Sequence, residues 1–248
     1  MTAVTLIIPS DGRADMVLTR VSGAILYVPE SQADAYRQHN PGIQIETHPD
    51  GAHRNLAAKR QDIYTRWGAV FMLDDDLAYN ARVHLPGNNR LHDLTPDEAH
   101  DLIQRTAWQA RAAGCYLYGF AATPNPLHYL PQRPIDLTGY INASAIGLWP
   151  SDRLYFSERT TAAESHWINL LNAYAHRKSW CDTRFHFGQK PGSTFTRPGG
   201  QTQHRTLASE RADTLFLRRM FGQAVQVKRG VPTANKLHPY QRTLRLPL

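Results

Sequence analysis

Cysteine is nearly missing from this 248-residue sequence, which holds only Cys115 and Cys181. Two thiols among apolar and aromatic neighbours exclude a disulfide framework and a paired-cysteine zinc site, and read as reduced core thiols. Long apolar runs are missing too: none approaches the roughly 20 residues of a membrane span. The first apolar stretch, Val4 to Ile8, is too short for a signal sequence and has no cationic flank, so a cytoplasmic protein with no membrane partner is expected. Also absent is any paired Cys/His finger or other named DNA-binding motif.

Hydrophobic residues make up 42% of the chain and aromatics 10%, which excludes a disordered polymer. The length suits one large α/β domain over residues 1–248, with a basic, irregular tail from about 223. The formal net charge of +7 is concentrated after position 175, in Arg177, Lys178, Arg184, Lys190, Arg197, Arg205, Arg218, Arg219, Lys228, Arg229, Lys236, Arg242 and Arg245. Such a distribution favours a polyanionic partner, because cationic surfaces gain affinity by releasing counterions from nucleic acid. Dispersed, solvated charge is the alternative.

The chain is organised around Ala69-Val70-Phe71-Met72-Leu73-Asp74-Asp75-Asp76. Five apolar residues without alternation predict a strand covered on both faces. Three carboxylates then emerge at its carboxyl end, where open α/β sheets place their ligands. Clustered like charges need a cation or strong donors. Mg²⁺ or Mn²⁺ is the simplest holder, and a hard ion held by one or two carboxylates completes its octahedron with water and substrate phosphates. A solvated Asp-rich turn is the alternative.

Before this strand, Val4 to Ile8 predicts a first strand that leaves through Pro9-Ser10-Asp11-Gly12-Arg13. Arg13 there suits a phosphate or a nucleotide base, or lies in solvent. Ala24 to Val28, a helix to about Gln38 and Ile43 to Ile45 continue a strand–helix alternation that signals a mostly parallel sheet. A helix follows to Trp67, stopped by Gly68, with Leu56, Ile63 and Trp67 as its inward stripe. Asn55 and Arg60 sit one turn apart near its start, placed for either ligand contact or an internal salt bridge.

After the acids, Leu77 to Leu94 shows no period and predicts a surface loop. Thr95, Pro96 and Glu98 spell a capping box for a helix with Leu102, Ile103, Ala107 and Ala110 inward, stopped by Gly114. Cys115 to Ala122 and Ser144 to Trp149 read as strands. Between them, Thr123 to Asn142 is rich in proline and aromatics, fit for recognising sugars or exposed bases, or for a packed crossover. Thr161 to Glu164 spells a second capping box, with Trp167, Leu170, Leu171 and Tyr174 inward. Glu164 is then either the capping carboxylate or a general base beside the site. Trp180 to Phe187 reads as one strand, in which His186 is a core histidine or completes a metal shell. Thr196 to Arg205, with Gly199, Gly200, His204 and Arg205, suits a pyrophosphate. It enters a helix from about Ser209 to Phe221.

The order of these features is a Pro-Ser loop after the first strand, an Arg/Asn helix, hydrophobic-Asp-Asp-Asp, an acid opening a late helix, and a Gly-Gly-x₃-His-Arg loop. It resembles the metal-dependent glycosyltransferases of the A-type (GT-A) fold. More narrowly it resembles the phage enzymes found beside TET/JBP-type oxygenases, which are thought to glycosylate hydroxymethylated pyrimidines in DNA. The resemblance covers most of residues 4–222. It implies a Rossmann-like, mostly parallel central sheet flanked by helices, with irregular acceptor loops. It also implies a nucleotide-sugar donor, with a UDP-sugar favoured, a DNA acceptor, and a bacterial or phage-infected cytoplasm. By position it places Asp74 and Asp76 on the metal, Pro9, Ser10 and Arg13 near the base, Asp74 and Asp75 at the donor, and Glu164 as the catalytic carboxylate. The usual second acid after that carboxylate is replaced here by Ser165 and His166. A sugar-phosphate nucleotidyltransferase is the rival enzyme. It usually opens with a Gly-rich triphosphate loop, whereas Ile8 to Arg13 holds one glycine. An accessory DNA-binding domain is the non-enzymatic rival.

Overall fold

The computed structural model describes residues 3–87, 92–189, 205–227, 240 and 242–246. In chain order the elements are β1 (Thr5–Pro9), β2 (Ile25–Pro29), α1 (Ala33–His39), β3 (Gln44–His48), α2 (Leu56–Trp67), β4 (Val70–Leu73), β5 (Leu77–Arg82), α3 (Pro96–Ala112), β6 (Leu117–Phe120), β7 (Ile135–Asp136), β8 (Ala145–Leu148), α4 (Glu164–His176), β9 (Trp180–Asp182), β10 (Phe185–Gln189), α5 (Leu207–Phe221), β11 (Val225–Val227) and β12 (Arg242–Leu244).

Eight strands form one Rossmann-like sheet in the order β3-β2-β1-β4-β8-β6-β9-β7. Neighbours run parallel except at β8, which is antiparallel to both β4 and β6, and at β7, which is antiparallel to β9. The reversal at β8 positions the site. It brings Ala145 opposite Leu73, so the segment entering β8 meets the segment leaving β4 at one edge, and the Asp74 amide donates to the Ser144 carbonyl at 2.8 Å.

Strand residues alternate between two cores. Leu6, Ile8, Leu26, Phe71 and Leu73 face α3, with Leu102 and Ile103, on one side. Ile7, Tyr27, Val70, Met72, Ile146 and Leu148 face α2 and α4, with Ile63 and Ile168, on the other. This two-sided burial is why the strands read as unbroken apolar runs. Gly147 is required where the Tyr118 ring lies flat on β8, since any Cβ there would overlap the ring. A third, smaller core joins α5 to α4. In it the Trp167 and Phe216 rings stack at 5.3 Å.

Several expectations are corrected by this arrangement. The stretch from Leu77 is no simple loop: β5 pairs antiparallel with β10 in a separate ribbon. Trp180 to Phe187 is two strands in different sheets, because Asp182 accepts from the Arg184 backbone N–H and forms a two-point ion pair with its guanidinium, closing a turn. Tyr174 is 65% exposed rather than inward. In α2 the buried stripe holds Ala57, Ala58, Lys59, Arg60, Ile63 and Tyr64, with Leu56 and Trp67 only half-buried. The Thr95 capping box and both buried free thiols stand as expected. Among the described residues no helix is long and apolar enough to cross a membrane.

Candidate active site

At the carboxyl edge of the sheet lies a cavity of about 360 Å³, within the size range of small-molecule sites. The three carboxylates after β4 do not share one environment, because successive side chains leave a strand on opposite faces. Asp75 lines the cavity on the side of the loop after β1. Its carboxylate accepts from the Ser10 hydroxyl, itself bonded to Tyr36 Oη at 2.6 Å, and pairs with Arg13 Nη1 at 3.1 Å. Burial raises the Asp75 pKa, opposed by Ser10 and Arg13. Arg13 is only 9% exposed and is therefore not a solvated loop arginine.

Asp74 and Asp76 point the other way. Arg60 Nη2 pairs with Asp74 Oδ1 at 2.7 Å while Nη1 donates to the Ala143 carbonyl at 2.8 Å. Arg60 is 1% exposed and does not line the cavity, so the salt-bridge alternative holds for it and donor contact is corrected. The Gln189 carboxamide donates to both Asp74 Oδ2 and Asp76 Oδ1, at 3.2 and 2.6 Å. Burial, helped by Asp76, Asp75 and Glu164 and opposed by Arg60, pushes the Asp74 pKa up to about 7.

The donor set fits a divalent ion. Two carboxylates already converge on one donor atom, and all-oxygen ligation suits Mg²⁺ or Mn²⁺ that keeps water and phosphate oxygens. Among the described residues there is no group of three or more His, Cys, Asp and Glu that would hold a metal unaided. His186 is not part of this set. Its Nδ1 lies 2.7 Å from the Ala121 carbonyl, its ring packs against Tyr79, and it does not line the cavity. The core-histidine alternative applies, and the metal-ligand expectation is corrected.

Glu164 lines the same cavity. The second capping box does not form. Ala163 is the N-cap without any side-chain bond, and Glu164 is the first residue of α4. Asp213 of α5 accepts from the Thr161 and Ala162 backbone N–H groups at 2.9 and 2.7 Å, and so takes the Thr161 N–H that would donate to a Glu164 carboxylate in a capping box. Glu164 is consequently 7% exposed, with an Oε2 that has no hydrogen-bond partner among the described residues. A buried carboxylate oxygen without a partner costs about 1–3 kcal/mol or more.

The opposite end of the cavity is lined by Pro9, Ser10, His48, His53, Asn55 and Lys59. Asn55 caps α2, accepting from Ala58, and donates to the Glu158 and Thr160 carbonyls, so its side chain is already committed. Lys59 donates to the Ser10 carbonyl at 2.7 Å, and burial lowers its pKa to about 8. Its exposure is 5%. His48 and His53 pack edge to face at 4.4 Å, and burial lowers both pKa values. Their His48 Nε2 and His53 Nδ1 atoms are buried without partners among the described residues. Each ring's other nitrogen faces an acceptor, the Pro49 carbonyl for His48 and Asp62 for His53. The neutral tautomers therefore leave two lone pairs for a ligand's N–H or O–H groups.

No family model and no curated protein matches the chain. Among solved structures it is similar to CMP:2-keto-3-deoxy-manno-octonic acid synthetase complexed with CTP. The identity is 10% and the TM-score 0.36, covering 88% of this chain and 100% of that chain. A likeness at that score carries no functional assignment.

Of the remaining expected site residues, Gly199, Gly200 and His204 lie outside the described residues. Arg205 lines the cavity while paired with Glu210 of α5. Lys59, Gln189, Asp213 and His166 were missed by sequence reasoning. Only Lys59 gave a signal, as a lysine on the buried stripe of α2.

The basic carboxyl-terminal half is partly spent inside the protein. Arg184 pairs with Asp182, Arg205 and Arg242 both pair with Glu210, and Lys178 donates to the Ala113 carbonyl at the end of α3. Arg242, at 3% side-chain exposure, is corrected as a contact for a polyanionic partner. Arg211, Arg218, Arg219 and Arg245 are exposed. Lys190, Arg197, Lys228, Arg229 and Lys236 lie outside the described residues.

Proposed function

We propose that this protein is a metal-dependent glycosyltransferase that moves a sugar from a nucleoside-diphosphate sugar, UDP-sugar favoured, to the hydroxyl of a 5-hydroxymethylpyrimidine in DNA, in the cytoplasm of a bacterium or phage-infected cell. The observation that carries the transferase reading is that Glu164, whose buried Oε2 has no partner among the described residues, lines the same cavity as Asp74 and Asp76. A carboxylate so placed takes a proton from an acceptor hydroxyl as that oxygen attacks the anomeric carbon. A divalent ion on Asp74 and Asp76 would supply charge neutralisation for the departing nucleoside diphosphate. Arg60 keeps Asp74 oriented, and Ser10 and Arg13 fix the loop against which the donor lies. DNA as acceptor is supported by the resemblance of the motif order and by the exposed Arg211, Arg218, Arg219 and Arg245.

Sugar-phosphate nucleotidyl transfer is the second reading, favoured by four cationic side chains around the cavity: Arg13, Arg54, Lys59 and Arg205. Against it, three of the four already pair with acids, Arg13 with Asp75, Arg54 with Glu158 and Arg205 with Glu210, and burial lowers the pKa of Lys59. A triphosphate needs more uncommitted positive charge than that. Thermal shifts with UDP, GDP, CDP and ADP, with and without Mn²⁺, test the donor site; a ligand at 100 times its Kd adds about 2.7 kcal/mol. Nucleoside diphosphate released from a nucleotide-sugar supports transfer. Pyrophosphate released from a nucleoside triphosphate plus a sugar phosphate supports the second reading. Sugar transferred to a lipid, protein or saccharide while modified DNA stays untouched removes the DNA acceptor alone.

A further inference from the structure

A second cavity, of about 550 Å³, adjoins the first at a shared residue: His166 lines both. Its walls are the rings of Tyr140 and His166, 5.8 Å apart, and the aliphatic side chains of Leu244 and Leu246, with Thr138 and Arg242 supplying polar atoms. Two polar atoms of the residues in its wall, His166 Nδ1 and Arg242 Nε, are buried and have no hydrogen-bond partner among the described residues. The rest of the Arg242 guanidinium is spent. Nη2 pairs with Glu210 Oε2 at 2.8 Å, and Nη1 donates to Thr214 Oγ1 at 3.0 Å and to the Glu210 carbonyl at 3.2 Å. Glu210 also pairs with Arg205, and Asp213 lies within electrostatic reach of Arg242, so two acids offset the two arginines, and Nε is the one Arg242 N–H without a partner among the described residues. His166 stays neutral because burial, aided by Arg242 and Arg205, lowers its pKa to about 3.

Aromatic and aliphatic walls, one donor, one imidazole nitrogen and no uncompensated charge suit a neutral planar ring and disfavour a phosphorylated one. Glu164, which lines the first cavity and whose Oε2 has no partner among the described residues, lies two residues before His166 at the start of α4. Resting on the transferase reading, we infer that this second cavity is the acceptor site and takes a neutral heteroaromatic ring bearing a hydroxymethyl group, whose hydroxyl passes His166 to reach Glu164. The hydroxymethyl oxygen then bonds to the anomeric carbon, its proton goes to Glu164, and the bond from that carbon to the phosphate oxygen breaks with its electron pair leaving on the nucleoside diphosphate.

The test titrates 5-hydroxymethyl-2′-deoxycytidine, with maltose as the non-aromatic hydroxylated control, into the full-length protein holding UDP and Mn²⁺. Two variants fill the cavity: Leu244→Trp on its wall and Thr138→Trp on its exposed rim, the latter independent of any folding defect in the former. Both are expected to weaken nucleoside binding at least tenfold while the UDP-induced melting shift stays at the wild-type value. Nucleoside affinity unchanged in Thr138→Trp, nucleoside that competes with UDP, or a site that takes maltose and not the nucleoside, each overturns the assignment. If UDP produces no stabilisation in the wild type, the donor reading falls, and the nucleoside titration repeated without UDP still decides this cavity.

Discussion

The Gln189 carboxamide bridges the carboxylates of Asp74 and Asp76, donating to both from the end of β10. It occupies the position between two acids where a divalent ion would bind, so ion binding must displace it. Gln189→Ala removes that competitor. The melting shift produced by Mn²⁺ should be larger in Gln189→Ala than in wild type, and an equal shift would show that the amide does not compete.

Asp74 and Asp76, both proposed to hold the ion, should separate by stability. Asp74→Asn leaves Arg60, 1% exposed, without its counter-ion, and breaking such a pair costs on the order of 3 kcal/mol. Asp76→Asn removes no ion pair among the described residues. Both variants should lose metal-dependent turnover, with a large melting-temperature drop only for Asp74→Asn; chemical denaturation and turnover assays measure the two effects.

Glu164→Gln should cut transfer by about 10²–10⁴-fold while leaving the melting temperature about equal, since the carboxyl group it replaces makes no capping bond to α4. A role in capping α4 predicts the reverse, lost stability with activity retained. Asp213→Ala should lower turnover through the freed Thr161 and Ala162 amides, at a cost of about 1–3 kcal/mol, without changing nucleotide-induced stabilisation.

Lys59 gives the pH dependence. Its folded pKa, lowered to about 8 from 10.5, means that the unfolded chain binds more protons between those values. Its contribution to stability therefore rises with pH across that window. The cavity loses a positive charge as pH passes 8. Nucleoside-diphosphate affinity should fall from pH 7 to 9, and Lys59→Met should abolish that fall while raising the melting temperature near neutrality. Calorimetric titration at the two pH values checks both.

What the sequence determined was local. The unbroken apolar runs of β1 and β4, the acids at the end of β4, the Thr95 capping box and the glycine stops all follow from residues within a turn of one another, where propensity and hydrogen-bond geometry act directly. The parallel sheet followed from their alternation. The tertiary structure decided which buried charge each acid meets. Arg60 took Asp74 rather than a ligand, Arg13 and Ser10 took Asp75, and Gln189 reached Asp76 from 113 residues away. Asp213, on a different helix, took the Thr161 N–H that the capping box of Thr161 and Glu164 would have paired with Glu164. The turn at Asp182 likewise sent β9 and β10 into separate sheets. A buried charge settles with whichever partner best offsets its desolvation. That partner is selected by the packing of distant segments, which no local pattern encodes.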